Sequence, residues 1–150
     1  MLKKTITYND YNGVERKDDF YFNLTQAEVT EMELSVNGGL AEQIQKIVNA
    51  KDTPSIIKIF KELILKAYGE KTDDGKRFRK VNDNGVSLSI AFSETEAYSK
   101  LFMELATDDI AAAEFVKGII PANLNQAEVS KAQETAKTLA NENNINNINE

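Results

Sequence analysis

Carboxylates are the side chains best placed to do acid–base or metal chemistry, because the chain has no histidine and no cysteine. Without His, the commonest general base near neutral pH and the commonest metal ligand are missing. Without Cys there is no thiolate nucleophile, no disulfide and no usual structural zinc site. Two adjacent aspartate pairs remain, Asp73-Asp74 and Asp108-Asp109. Paired carboxylates hold Mg²⁺ or share a proton only when further ligands or burial support them. Asp73-Asp74 instead run into Gly75, a turn signal, and Asp108-Asp109 precede an apolar-periodic stretch, where acidic residues favour a helix N-terminus. The sequence holds no Gly-rich phosphate loop, no G-x-S-x-G and no H-E-x-x-H. Ser and Lys are plentiful, so a Ser–Lys site stays open in principle, but nothing points to one. The expectation is a non-enzyme with no catalytic residue, no cofactor and no metal.

Charge narrows the partners. The chain of 150 residues carries a formal net charge of −6, which argues against nucleic acid, since phosphate binding needs clustered Lys and Arg. The one basic cluster, Lys76-Arg77-Phe78-Arg79-Lys80, follows Asp73-Asp74 and reads as a solvated loop. No apolar run approaches the roughly 20 residues of a membrane span, and the N-terminus does not resemble a signal peptide. The protein is therefore expected in the cytoplasm.

The elements that must position these groups read as mainly α. An N-terminal β-hairpin comes first, with Ile6 and Tyr8 on one arm and Phe20 and Phe22 on the other, joined at Asn12-Gly13. A two-residue turn would pair odd positions with even ones. A three-residue loop with Gly13 left-handed pairs even with even, placing Ile6, Tyr8, Phe20 and Phe22 on one face, and is preferred. A compact bundle of about five helices and a flexible C-terminal tail are expected to follow. Thr25 with Glu28 forms a capping box, and that helix stops at Asn37-Gly38-Gly39. A second helix carries Leu40, Ile44, Ile47 and Val48. A third starts at Thr53-Pro54, buries Ile56, Ile57, Phe60, Leu63, Ile64, Ala67 and Tyr68, and is closed by Gly69. Val86, Leu88 and Ile90 fit either a strand or a helical turn. Ser93 with Glu96 forms a second capping box, and Thr107 caps a last helix that ends at Gly118 and Pro121. Residues 1–121 are expected to make the hairpin and helical core, 122–140 a loose, exposed helix, and the Asn-rich 141–150 a disordered end.

Apolar residues on the polar side of helices are candidate contacts for a partner protein. Leu34 sits among Thr30, Glu31 and Ser35. Leu65 lies near Lys58 and Glu62, and Met103 falls between Glu96, Ser99, Lys100 and Glu104. Isolated exposed Leu and Met residues are also ordinary on protein surfaces, and a second layer of helices would bury them.

The order of the pieces carries a resemblance. Leu2-Lys3-Lys4-Thr5-Ile6 through Phe20-Tyr21-Phe22-Asn23-Leu24-Thr25 looks like the start of tail assembly chaperones of long-tailed (siphovirus-type) bacteriophages and prophages of low-GC Gram-positive bacteria. Gly38-Gly39-Leu40 with Ile44-Gln45-Lys46-Ile47, and Ile59-Phe60-Lys61-Glu62-Leu63-Ile64 with Ala67-Tyr68-Gly69, are similar to that family too. So are Glu94-Thr95-Glu96-Ala97-Tyr98 with Leu101-Phe102-Met103-Glu104-Leu105, and Phe115-Val116-Lys117-Gly118-Ile119-Ile120-Pro121. Val81 to Ile90 departs from the pattern, being longer and richer in turns. The resemblance implies a protein that binds the tape-measure protein, helps recruit major tail tube protein and is absent from the finished virion. It also implies that a frameshifted long form of the chain can exist. An acidic surface keeps such a holdase soluble, and Met and Leu suit adaptable contacts. The competing reading is a structural tail component, a connector or tube-terminating protein retained in the virion. An acidic mimic of nucleic acid fits less well, because the carboxylates alternate with Lys along several helices.

Overall fold

The computed structural model describes residues 1–35 and 53–121. Within them the chain forms β1 (Leu2–Asn9), β2 (Glu15–Phe22), α1 (Gln26–Ser35), α2 (Thr53–Ala67), β3 (Tyr68–Lys71), β4 (Phe78–Arg79), α3 (Leu88–Ser93), α4 (Glu96–Thr107) and α5 (Asp109–Ile119). Met1–Leu24 with Ile59–Pro121 make one compact unit, and Thr25–Lys58 group with Ala122–Glu150 in a second. The expected second helix at Leu40–Val48, the stop at Asn37-Gly38-Gly39 and the tail at 122–150 lie outside the described residues. So do the side chains of the Thr53-Pro54 helix start.

The hairpin forms as its pattern predicts. Leu2 pairs with Phe22, Lys4 with Phe20, Ile6 with Asp18 and Tyr8 with Arg16, even with even. Tyr11-Asn12-Gly13 make the three-residue loop; Asp10 N–H donates to Val14 O at 2.9 Å, and Gly13 is left-handed at φ 77°. That register puts Ile6 and Phe22 on the covered face, where both are buried.

The sheet does not end with the hairpin. β3 and β4 extend it to four antiparallel strands in the order β1-β2-β3-β4. Tyr21 pairs with Gly69 and Phe22 with Tyr68. This corrects the expected helix end, since α2 stops at Ala67 and Gly69 is a strand residue. The cause is steric: a Cβ on Gly69 would lie 2.5 Å from Phe78 Cε1 and 2.6 Å from Arg79 O. Only glycine lets β4 cross that closely. Helix remains the larger share, but the helices of this unit pack on a sheet rather than forming a bundle beside a lone hairpin.

The ambiguous segment takes its helical reading. After an isolated bridge between Val81 and Ser87, Leu88–Ser93 is the short helix α3, and Val86 belongs to no strand. Two caps also differ from expectation. Thr95, not Ser93, caps α4 by accepting from Tyr98 N–H, while Ser93 Oγ donates to Ile90 O at 2.6 Å and closes α3. Asp108, not Thr107, caps α5 by accepting from Ile110 and Ala111 N–H, and Thr107 Oγ1 donates back to Met103 O. In each case two capping residues stand close together, and the one nearer the new helix takes the cap.

The core is aromatic. Phe22 meets Tyr68 at 5.9 Å, Phe92 at 5.7 Å and Phe115 at 5.3 Å between ring centroids. Phe92 stacks on Tyr68 at 4.2 Å and also meets Phe20 and Tyr98. Such pairs each add about 0.5–1.5 kcal/mol to area burial. Around them Leu24, Leu63, Ile64, Ala97, Leu101, Leu105, Ala112 and Ile119 are buried. The exit of β2 is tied to two helix ends, with Asn23 N–H on Ala67 O and Leu24 N–H on Ile119 O, each at 2.8 Å.

Candidate functional site

One member of each aspartate pair is used in folding. Asp74 accepts from Thr72 Oγ1 at 2.6 Å and from Lys76 N–H at 3.0 Å. These bonds, the Thr72 hydroxyl first, hold its carboxyl below the usual range. Asp108 is the α5 cap described above. Among the described residues no three acidic side chains gather as a metal site would require, and no buried side-chain polar atom lacks a partner.

One loop design accounts for most of the turn-forming polar residues. Asp10, Thr72 and Asn82 each accept, through their own C=O, the N–H of a glycine three residues on, at 2.9, 2.9 and 3.0 Å. Those glycines, Gly13, Gly75 and Gly85, have φ of 77°, 71° and 78°. Asp10 Oδ1 also accepts from Asn12 and Val14 N–H, and Asn82 Oδ1 likewise from Asn84 and Val86. Side-chain oxygens thus replace backbone acceptors in a tight loop. The extra turns that set Val81 to Ile90 apart are the third of these loops, closed by the Val81–Ser87 bridge.

The basic cluster is likewise partly internal. Lys80 Nζ donates to Asn23 O at 2.7 Å and to Lys66 O at 2.6 Å, holding a positive charge at the C-terminal end of α2. Arg79 pairs with Asp83 at 2.9 Å. Lys80 thus serves to close α2 against the exit of β2.

What the surface does offer is apolar side chains. Leu34 is 83% exposed and Met103 54% exposed. Leu34 lines an open depression along α1 with Gln26, Ala27, Thr30 and Glu31. Leu65 is half-buried, less available than its place among polar neighbours suggested. The three stand on different helices, Leu34 in one compact unit and Leu65 and Met103 in the other. Ile110, at 73% exposure, and Ile90 and Val86 are further exposed apolar residues that the pattern did not single out. Ile110 was detectable: it stands just outside the inward stripe of α5, between Asp109 and Ala111.

A family model described as phage tail assembly chaperone matches residues 1–150. No curated protein and no solved structure matches the chain.

Proposed function

The chain belongs to the phage tail assembly chaperone family, and from that premise we propose that it binds the tape-measure protein and helps recruit tail tube subunits while the tail is built. The observation that carries this reading is the family match, which runs the length of the chain. The surface is consistent with it. Leu34, Met103 and Ile110 expose apolar side chains of the flexible or branched kind that adapt to a long client. The net charge of −6 keeps a protein with such patches soluble.

In this reading the chaperone acts in the host cytoplasm and is left behind when the virion is complete. A frameshifted long form, where one is made, shares the same folded unit. Mass spectrometry of purified particles against assembling lysate is the test. The chaperone reading expects the chain in the lysate and not in the particle; its recovery at fixed stoichiometry from particles means a connector or tube-terminating role instead. Leu34→Ser, at an exposed position, is expected to lower client solubility without changing the melting temperature. Unchanged client solubility removes Leu34 from the contact surface.

A further inference from the structure

The outer edge of β1 holds backbone bonding capacity that no described strand uses. Its direction is fixed by three contacts. Asp10 N–H reaches Val14 O at 2.9 Å, so even residues of β1 turn toward β2. Asn23 N–H reaches Ala67 O at 2.8 Å, so odd residues of β2 turn toward β3. Lys100 Nζ meets Thr7 O at 2.7 Å, arriving on the side away from β2. The N–H and C=O groups of Lys3, Thr5, Thr7 and Asn9 therefore point out of the sheet, and their side chains are exposed.

α4 lies along the same flank. Lys100 anchors it at Thr7, and Glu104 anchors it at Lys4 Nζ, 3.2 Å away. Met103 lies one turn on from Lys100 on the helix surface, in line with Glu96 and Thr107, and is 54% exposed. An open strand edge and an exposed methionine thus run side by side.

We propose that this flank is a two-fold self-association surface, in which β1 pairs antiparallel with β1 of a second copy and joins two four-stranded sheets. The edge is complementary to itself. With Ile6 opposite the partner's Ile6, Thr5 faces the partner's Thr7, Lys3 the partner's Asn9 and Lys4 the partner's Tyr8. β-Branched pairs meet at the centre and no lysine meets a lysine. The registers that set Lys3 or Lys4 against itself are disfavoured by like charge, so the lysines restrict how the edge pairs. The two-fold axis stands perpendicular to the sheet, which brings the two α4 helices antiparallel on one face with Met103 near the axis. Thr7 O keeps a second lone pair for the new strand while Lys100 holds the first.

The test is the mass of the full chain in solution, with amide exchange read residue by residue. A particle of twice 16.8 kDa is expected. On raising the concentration, the amides of Lys3, Thr5, Thr7 and Asn9 should slow by roughly tenfold or more, while those of Lys4, Ile6 and Tyr8 stay unchanged. Thr7→Pro removes one outward N–H and leaves the β1–β2 ladder intact; it and Met103→Glu should each weaken self-association by roughly tenfold or more. If Thr7→Pro does not fold, Met103→Glu decides, being at an exposed site. A chain that stays monomeric at every concentration overturns the proposal, and so does a dimer indifferent to the deciding variant. Protection of the odd amides only when a client is added assigns the edge to a foreign strand, and equally overturns it.

Discussion

Replacing Gly69 by alanine tests the packing that turns a hairpin into a four-stranded sheet. The new Cβ would lie 2.5 Å from Phe78 Cε1, 2.6 Å from Arg79 O and 2.9 Å from Phe78 Cζ. Carbon atoms pack best at about 3.5–4.0 Å, so the ring must retreat by roughly 1 Å. The carbonyl must move as well, and it belongs to Arg79, the β4 residue paired with Glu70. Overpacking costs about 1–3 kcal/mol, and a backbone neighbour places this case at the upper end. The loss of unfolded-state freedom on Gly→Ala offsets about 0.4–1 kcal/mol. A net loss of ~2 kcal/mol remains, or a melting temperature lower by roughly 8 °C at about 4 °C per kcal/mol. Gly118→Ala is the internal control. Its nearest neighbour is Leu2 Cδ1 at 2.9 Å, the far end of a flexible side chain, and alanine gains up to ~1 kcal/mol of helix propensity there. Thermal and urea unfolding followed by circular dichroism should separate the two variants. Adding Phe78→Ala to Gly69→Ala should restore only part of the loss, because Arg79 O stays in place. A Gly69→Ala protein that melts within about 2 °C of the parent refutes the argument.

Three more outcomes follow from single side chains. Lys80→Met leaves Asn23 O and Lys66 O without their shared ammonium donor and should cost about 2 kcal/mol in urea unfolding; a loss below ~0.5 kcal/mol counts against its role in closing α2. Asp10 is held below its ordinary 3.8 by the Val14 N–H first and by Arg16 next. Its contribution is present above 3.8 and lost as pH falls through the lower folded value, so an NMR midpoint at or above 3.8 contradicts it. Tyr68 is raised above 10.0 by burial first and Glu70 second. Its contribution holds below 10.0 and fades as pH rises through the higher folded value, and the part of an ultraviolet titration that lies above 10.0 should weaken in Tyr68→Phe.

Local rules carried the first hairpin and the first helix. Parity of the apolar positions with Gly13 specified the register, and Thr25 with Glu28 formed the reciprocal cap, Glu28 N–H on Thr25 Oγ1 at 3.1 Å and Thr25 N–H on Glu28 Oε1 at 3.2 Å. What failed depended on distant contacts. Tyr68-Gly69 reads as a helix end because nothing nearby in sequence says that Phe78 will cross it. Ser93 and Thr107 are sound caps by type, but Thr95 and Asp108 stand closer to the helices that form. Leu65 looked exposed from its helical neighbours alone, and tertiary packing half-buries it. The turn and cap roles of Asp74 and Asp108 were legible locally, because each precedes a turn or helix signal, Gly75 in one case and the apolar stretch of α5 in the other. Which apolar residues meet a client is not written in periodicity, because an exposed Leu or Met has the same pattern whether or not a partner covers it.

Co-expression with the tape-measure protein, followed by affinity pull-down and a solubility assay, tests the proposed holding role directly. The tape-measure protein is expected to become soluble and to co-purify with the chain. A tape-measure protein that stays insoluble and unbound, even with the tail tube protein and any long form supplied, contradicts that role.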